Sequence, residues 1–178
     1  MDLYADDIGG GFYPTAQMPM TAPFEISWIY LTRPFVNHPK IYRCPVDTST
    51  NWDATPPRRA SYGINAYFTP NHGPYWGVRN NEIEDPSGTI IGAEVVENLT
   101  TDHIMPMHWG DPPAITDAMI QAKEWDMATQ RPKKVAWQRH LGRANYVFTD
   151  GHAAATDFKD TWGQVPGNPP FLDRYDTK

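Results

Sequence analysis

The stretch Arg139-His-Leu-Gly-Arg-Ala-Asn-Tyr-Val-Phe-Thr-Asp-Gly-His-Ala-Ala-Ala-Thr-Asp-Phe158 decides the fold, because it reads as a β-hairpin. Ala144 to Thr149 carries Tyr146, Val147 and Phe148, residue types that favour an extended, half-buried backbone. Asp150-Gly151 supplies the turn, since glycine reaches positive φ without steric cost and Asp-Gly is among the best short hairpin signals. His152 to Phe158 returns with loose alternation. Ala153, Ala155 and Asp157 face one way, and His152, Ala154, Thr156 and Phe158 the other.

Outward from the hairpin, three more stretches read as strands: 40–44, 60–68 and the apolar, β-rich 89–96. With 144–149 and 152–158 they follow one another without βαβ alternation, which predicts an antiparallel sheet and an α+β domain. Helices are expected at three places. Residues 1–7 read as a helix end closed by Gly9, Gly10 and Gly11. Residues 25–31 hold Ile26, Ile29 and Tyr30 at helical spacing before Pro34. Residues 114–130 carry Ile115, Ala118, Met119, Ala122 and Trp125 at three- and four-residue steps after Asp111 and two prolines. Long loops rich in Pro, Gly and Trp connect these elements, and Asp47 to Arg59 reads as an exposed one.

Composition narrows the function classes. The 178 residues are expected to form a single domain, 1–178, with ample length for a core. A net charge of −6, with only Arg131-Pro-Lys-Lys134 as a basic run, argues against a nucleic-acid surface. The single cysteine, Cys44, excludes an intrachain disulfide and reads as a small buried hydrophobe without an evident histidine partner. No stretch approaches the roughly 18 apolar residues of a membrane span, and no signal peptide is visible.

Several motifs occur in order. The hairpin region reads R-H-x-G-x-A-N-x-x-F-x-D-G-H, with nine residues, Leu141 to Thr149, between His140 and Asp150-Gly151. Upstream lie Tyr4-Ala-Asp-Asp7 through Phe12-Tyr-Pro14, Tyr42-Arg-Cys-Pro-Val-Asp47 and Ser61-Tyr-Gly-Ile-Asn65. Ile83-Glu-Asp-Pro-Ser87 follows, with Thr89-Ile-Ile-Gly-Ala-Glu94. Together these resemble the prepilin-type, processing-associated H-X9-DG domain of pilin-like proteins, over most of the chain. The resemblance implies a pilin-like fold, with an N-terminal helix remnant packed on a small antiparallel sheet. The helix at 114–130 would be an addition to it. It implies a non-enzymatic structural subunit of a pilin- or pseudopilin-like filament or secretion apparatus, extracellular, at the cell surface or periplasmic. Its partners would be further copies of itself or other pilin-like subunits. Family members begin with a basic leader, a cleavage site and a long apolar helix. That helix is missing from this sequence, so contact with a membrane is expected only through such an absent N-terminal segment.

Against this background the candidate sites are few. The motif residues His140, Asp150, Gly151 and His152 invite a metal reading. However, six residues of strand, at roughly 3.3 Å each, hold His140 about 20 Å from the turn. A hydrogen bond from His140 to a neighbouring backbone or to the Glu94 region is expected instead, and Asp150 is expected to cap its own turn. No cofactor is required. Calcium would suit Asp150, Asp157 and Asp160, to which the loop carboxylates Asp47 and Asp53 could add, because the resemblance to pseudopilins implies a calcium-binding loop and hard carboxylates fit that ion. His103 and His108 flank Met105 and Met107 in a pattern that a soft metal could use. Glu94 and Glu97 could form a carboxylate pair, although Glu94 hydrogen-bonded to a loop backbone with Glu97 exposed is the favoured reading. Asn98-Leu-Thr100 is an N-x-T sequon, making Asn98 a glycosylation candidate. Trp28, Trp52, Tyr75, Trp76, Trp109 and Trp162 read as an interaction set. They would serve subunit contacts or, in an alternative function, a platform for cell-surface polysaccharide.

Overall fold

The computed structural model describes residues 2–7, 10–14, 27–36, 38–55, 57–69, 77–97, 99, 101–109, 124–163 and 172–176. Helix α1 (Asp2–Asp7) ends where Gly10 and Gly11 take φ of 60° and 87°, and the Gly11 N–H returns to the Ala5 carbonyl at 2.8 Å. Helix α2 (Trp28–Leu31) is a single turn that buries Trp28 and Ile29, and a 3-10 turn at Arg33–Phe35 follows.

The sheet has five strands in the order β3-β1-β2-β6-β7, namely His103–Ile104, Tyr62–Asn65, Ile90–Glu94, Ala144–Phe148 and Ala153–Thr156. The β6–β7 hairpin forms as its sequence predicts, with Ala144 opposite Thr156, Val147 opposite Ala153 and Gly151 at φ 91° in the turn. β2 is buried along its whole length, with β1 and β6 on its two edges. The structure thus combines a sheet with a few short helices, consistent with an α+β class.

Four expectations are corrected. The sheet is mixed, because β3, expected to be loop, pairs with β1 in parallel (Ile64 with His103, Asn65 with Ile104). Residues 40–44 do not form a strand. Pro39 starts a 3-10 turn over Pro39–Tyr42, and the His38 Nδ1 accepts the Lys40 N–H at 3.2 Å, which curls the backbone. The strand expected over 60–68 stops at Asn65, whose side chain accepts the Tyr67 N–H and opens a 3-10 turn at Ala66–Phe68.

The helix expected over 114–130 lies outside the described residues up to 123, and its last part is a hairpin instead. β4 (Trp125–Asp126) pairs with β5 (Arg131–Pro132). The Asp126 carboxylate takes the Ala128 N–H at 2.9 Å and Gln130 adopts φ 54°, a turn geometry that no helix accommodates. A last small pair joins β8 (Trp162–Gly163) to β9 (Leu172–Asp173). No helix among the described residues is long and apolar enough to cross a membrane.

Alternation along β6 separates the two faces of the sheet. Ala144, Tyr146 and Phe148 are buried, whereas Asn145 is half-buried and Val147 exposed. The main aromatic cluster is built on Trp109, whose ring lies 5.0 Å from Tyr175, 5.6 Å from Phe158 and 5.8 Å from Trp162. On the other side of the chain Trp28 packs edge-on to Tyr42 at 5.8 Å and donates its indole N–H to the Asp102 carbonyl. Those aromatic pairs each contribute about 0.5–1.5 kcal/mol beyond the area they bury.

Gly63 is where β3 is allowed to approach. A Cβ there would stand 2.8 Å from Val95 Cγ1 and 3.3 Å from the His103 backbone. Gly63→Ala is therefore expected to lower stability by about 1–3 kcal/mol in chemical denaturation. A loss within experimental error would mean that β3 docks less tightly than described.

Candidate functional site

Among the described residues, a dense polar cluster sits where the start of β1 and the end of β2 meet the chain entering β6. Its members come from separate motifs, namely Cys44 and Asp47, Ser61, Glu94, and Arg139 with His140. Each is delivered by local structure. The Cys44–Asp47 segment turns on itself, the Asp47 N–H reaching the Cys44 carbonyl at 3.0 Å. Glu94 ends β2 and, by register, lies on the same face as Tyr62 and on the side opposite Ala93. His140 is held by a tight turn in which its N–H and the Arg143 N–H bond each other's carbonyls at 2.9 and 3.2 Å. The two residues at the tip, Leu141 and Gly142, both have positive φ, 55° and 88°.

Asp47 anchors one half of the cluster. Its carboxylate accepts the Ser61 hydroxyl at 2.7 Å and the Ser49 N–H at 3.0 Å, and it meets Arg58 at 3.0 Å and Arg139 at 3.7 Å. The Ser61 hydroxyl in turn accepts the Cys44 N–H at 2.8 Å. Burial alone would push the Asp47 pKa up. The Ser61 and Ser49 hydrogen bonds and the two guanidiniums outweigh it and hold the carboxyl below its ordinary range. Arg58 donates to the carbonyls of Val95, Val96 and Glu97 at 2.8–3.0 Å, fixing the chain that leaves β2. Arg139 donates to the Val95 carbonyl at 2.7 Å and to Glu97 at 2.9 Å.

Glu94 and His140 form the other half. One Glu94 oxygen accepts the Asn145 N–H at 2.8 Å, and the other lies 2.9 Å from His140 Nε2. The same nitrogen is 3.0 Å from Asn145 Nδ2 and 3.6 Å from Cys44 Sγ. Cys44 therefore has a histidine neighbour that the sequence did not reveal. It is not poised as a nucleophile. Burial pushes its thiol pKa up, and a relay through the imidazole needs the thiol and the carboxylate on different ring nitrogens. Burial likewise raises the neighbouring Tyr62 to about 12.

The remaining candidates fall as follows. Glu97 does not pair with Glu94; Arg139 lies between them, 2.9 Å from one and 3.7 Å from the other. At the hairpin turn Asp150 accepts both the His152 N–H (3.0 Å) and its Nδ1 (2.6 Å), and the His152 ring stacks on Phe148 at 4.1 Å. Those two hydrogen bonds hold the Asp150 carboxyl low. Asp157 caps the 3-10 turn Phe158–Asp160 at the far end of β7, so the structure does not gather Asp150, Asp157 and Asp160 into one calcium site. His103 is enclosed in β3 beside Asp102 at 3.2 Å, and His108 closes the 3-10 turn Pro106–His108. Among the described residues, only Cys44, Glu94 and His140 bring three metal-type ligand atoms within 4.8 Å of one another.

In the interaction set, Trp28, Trp109 and Trp162 are core residues rather than a surface platform. Trp52 is half-buried with Arg43 and Arg58 at 4.7 and 5.6 Å from its ring, while Tyr75, Trp76 and Asn98 lie outside the described residues.

Sequence reasoning missed Arg58, since 47–59 read as an exposed loop, and gave Arg139, quoted at the head of the hairpin stretch, no role. The available signal was the lone Asp of the Cys-Pro-Val-Asp segment, which is enclosed and requires a buried cation. Compared with protein-family models, with curated proteins and with solved structures, the chain has no match in any of the three.

Two outcomes test the Asp47 half. Asp47→Ala strands Arg58 without its counter-ion and is expected to cost about 3–5 kcal/mol. Because the folded-state pKa of Asp47 is depressed, its stabilisation is present above the ordinary carboxylate range of about 4. It is lost as pH falls through the folded value. The wild-type protein should lose stability in that acid window, and Asp47→Asn should flatten this dependence. Parallel acid profiles for the two proteins would contradict the assignment.

Proposed function

We propose that the chain is the globular head of a non-enzymatic structural subunit, in a pilin- or pseudopilin-like filament or secretion apparatus outside the cytoplasm. The observation behind this reading is where the motif residues go. Residues from the Cys-Pro-Val-Asp, Ser-Tyr-Gly-Ile-Asn, Glu94 and His140 segments engage one another and the backbone in a single cluster. That is how residues look when their task is to hold a domain in shape. The His140–Asp150 spacing belongs to this architecture, and the mixed sheet with a short helix at its start is compatible with a pilin-like head.

Association through the globular surface has a concrete candidate. Leu141 is fully exposed (104%) at the tip of a turn where positive φ penalises a branched side chain. Ile41 (63%) and Val46 (49%) are exposed on the segment that meets His140 through Cys44. An apolar side chain kept at a strained, solvent-facing tip suits contact with a second copy better than it suits the monomer.

Sedimentation and electron microscopy of protein isolated from its native source are expected to show filaments or ordered oligomers. Leu141→Asn should weaken assembly while stabilising the isolated domain by about 1 kcal/mol, because asparagine tolerates positive φ. Native material that stays monomeric at every concentration would remove the proposal. An assembly indifferent to Leu141→Asn would remove the assigned contact.

A further inference from the structure

Three side chains meet at the His140 Nε2. The Glu94 carboxylate, the Asn145 side-chain amide and the Cys44 sulfur approach it at 2.9, 3.0 and 3.6 Å. Groups that each have a lone pair to give, and that converge on a common point, are arranged as ligands.

We propose that Cys44 Sγ, His140 Nε2 and Glu94 Oε1 form a binding site for a divalent metal of the zinc class. Bond lengths of about 2.0–2.3 Å to N, O and S in a tetrahedral site set the ligand atoms roughly 3.3–3.6 Å apart. The observed 3.6 Å between sulfur and nitrogen already meets that, and the 2.9 Å between nitrogen and oxygen needs to open by only a few tenths of an ångström. All three ligand atoms lie within 4.8 Å of one another.

The donor set selects the ion. Thiolate and imidazole favour zinc and related transition metals and disfavour calcium, which takes oxygen ligands.

Charge and access agree with the assignment. Asp47, Glu94 and Glu97 face Arg58 and Arg139, a cluster with one more negative than positive formal charge. A divalent ion on a Cys44 thiolate adds one positive charge and closes that difference. Arg139 sits 3.7 Å from Glu94, but its stronger bonds run to the Val95 carbonyl and Glu97, so it need not leave when an ion enters. Cys44 and Glu94 are enclosed while the His140 side chain is 30% exposed, which puts the entry path and a fourth, open coordination position on the His140 side. The Glu94 oxygen not used for the metal already accepts the Asn145 N–H, the kind of supporting bond that orients a ligand. This site is independent of whether the chain assembles into filaments.

The test uses the full chain, untagged and stripped with chelator, titrated with Co2+ and then Zn2+. One equivalent of Co2+ is expected to give a thiolate-to-cobalt charge-transfer band in the near ultraviolet, displaced by Zn2+, with a rise in Tm. Cys44→Ser should abolish the band. His140→Ala should weaken binding by more than the roughly 10–100-fold that loss of a supporting hydrogen bond costs. His152→Ala, at the exposed turn, should leave both unchanged. Should the Cys44 variant fail to fold, the band in wild-type protein still reports the sulfur directly. Folded wild-type protein that shows no charge-transfer band on Co2+ addition overturns the proposal, as does metal binding that survives Cys44→Ser or depends on His152.

Discussion

The buried carboxylate of Asp47 constrains the structure more than any other group. A charge taken out of water must find counter-ions and hydrogen bonds at once, and removing one partner of such a pair strands the other. Asp47 finds them in the Ser49 amide of its own turn, in Arg58 and Ser61 just downstream, and in the distant Arg139. The same guanidiniums then fix the carbonyls of residues 95–97, where β2 leaves the sheet. One ionised group therefore ties the loop after Cys44, the start of β1, the end of β2 and the entry to β6. Most of these partners hold a second partner in turn, so the contacts support one another. That cooperativity is the physical content of a specificity device.

Elsewhere the chain relies on apolar packing. Trp109 collects Phe158, Trp162 and Tyr175 around it, and Trp125 adds to the same cluster at 4.6 Å from Trp162. This cluster joins segments from four parts of the sequence, around 109, 125, 158–162 and 175, that have little regular secondary structure of their own. In a chain with eighteen prolines and thirteen glycines, long ladders of backbone hydrogen bonds are scarce. Large rings supply the burial that longer strands and helices would otherwise provide. The abundance of tryptophan is thus explained by the core for Trp28, Trp109, Trp125 and Trp162, without recourse to a ligand.

The hairpin and β2 were legible from sequence because their signals are local. Asp150-Gly151 and the run Tyr146-Val147-Phe148 determine a turn and a strand with little outside help, and 89–96 is too apolar to lie at a surface. The turn at Pro39–Tyr42 was misread because a proline and a neighbouring imidazole curl a segment whose residue types favour strands. The helical spacing around Trp125 was misread because Asp126 captures the Ala128 amide and breaks the period just where it should continue. β3 carries two paired residues, too short for any periodicity, and exists because Gly63 leaves room for it. The site was half legible. His140 was expected to bond a neighbouring backbone or the Glu94 region and meets Glu94, but Cys44 and Arg58 reach the cluster through tertiary folding, which no spacing in the sequence encodes.

The nine-residue interval between His140 and Asp150 has a structural meaning in this fold. It comprises a turn at Leu141–Arg143, the five residues of β6, and Thr149. At one end His140 meets Glu94, the last residue of β2. At the other, the Thr149 N–H bonds the Thr89 carbonyl and the Asp150 N–H bonds the Pro86 carbonyl, both at 3.0 Å, just before β2 begins. The interval therefore matches β6 to the length of its neighbour, pinned at both ends by side-chain or turn contacts. With a rise of about 3.4 Å per residue and side chains alternating between faces, one residue more or less would break one end. It would also turn Tyr146 from the core toward solvent. The spacing thus acts as a ruler for strand register: the histidine and the Asp-Gly turn mark its ends, and the buried cluster holds the histidine end in place.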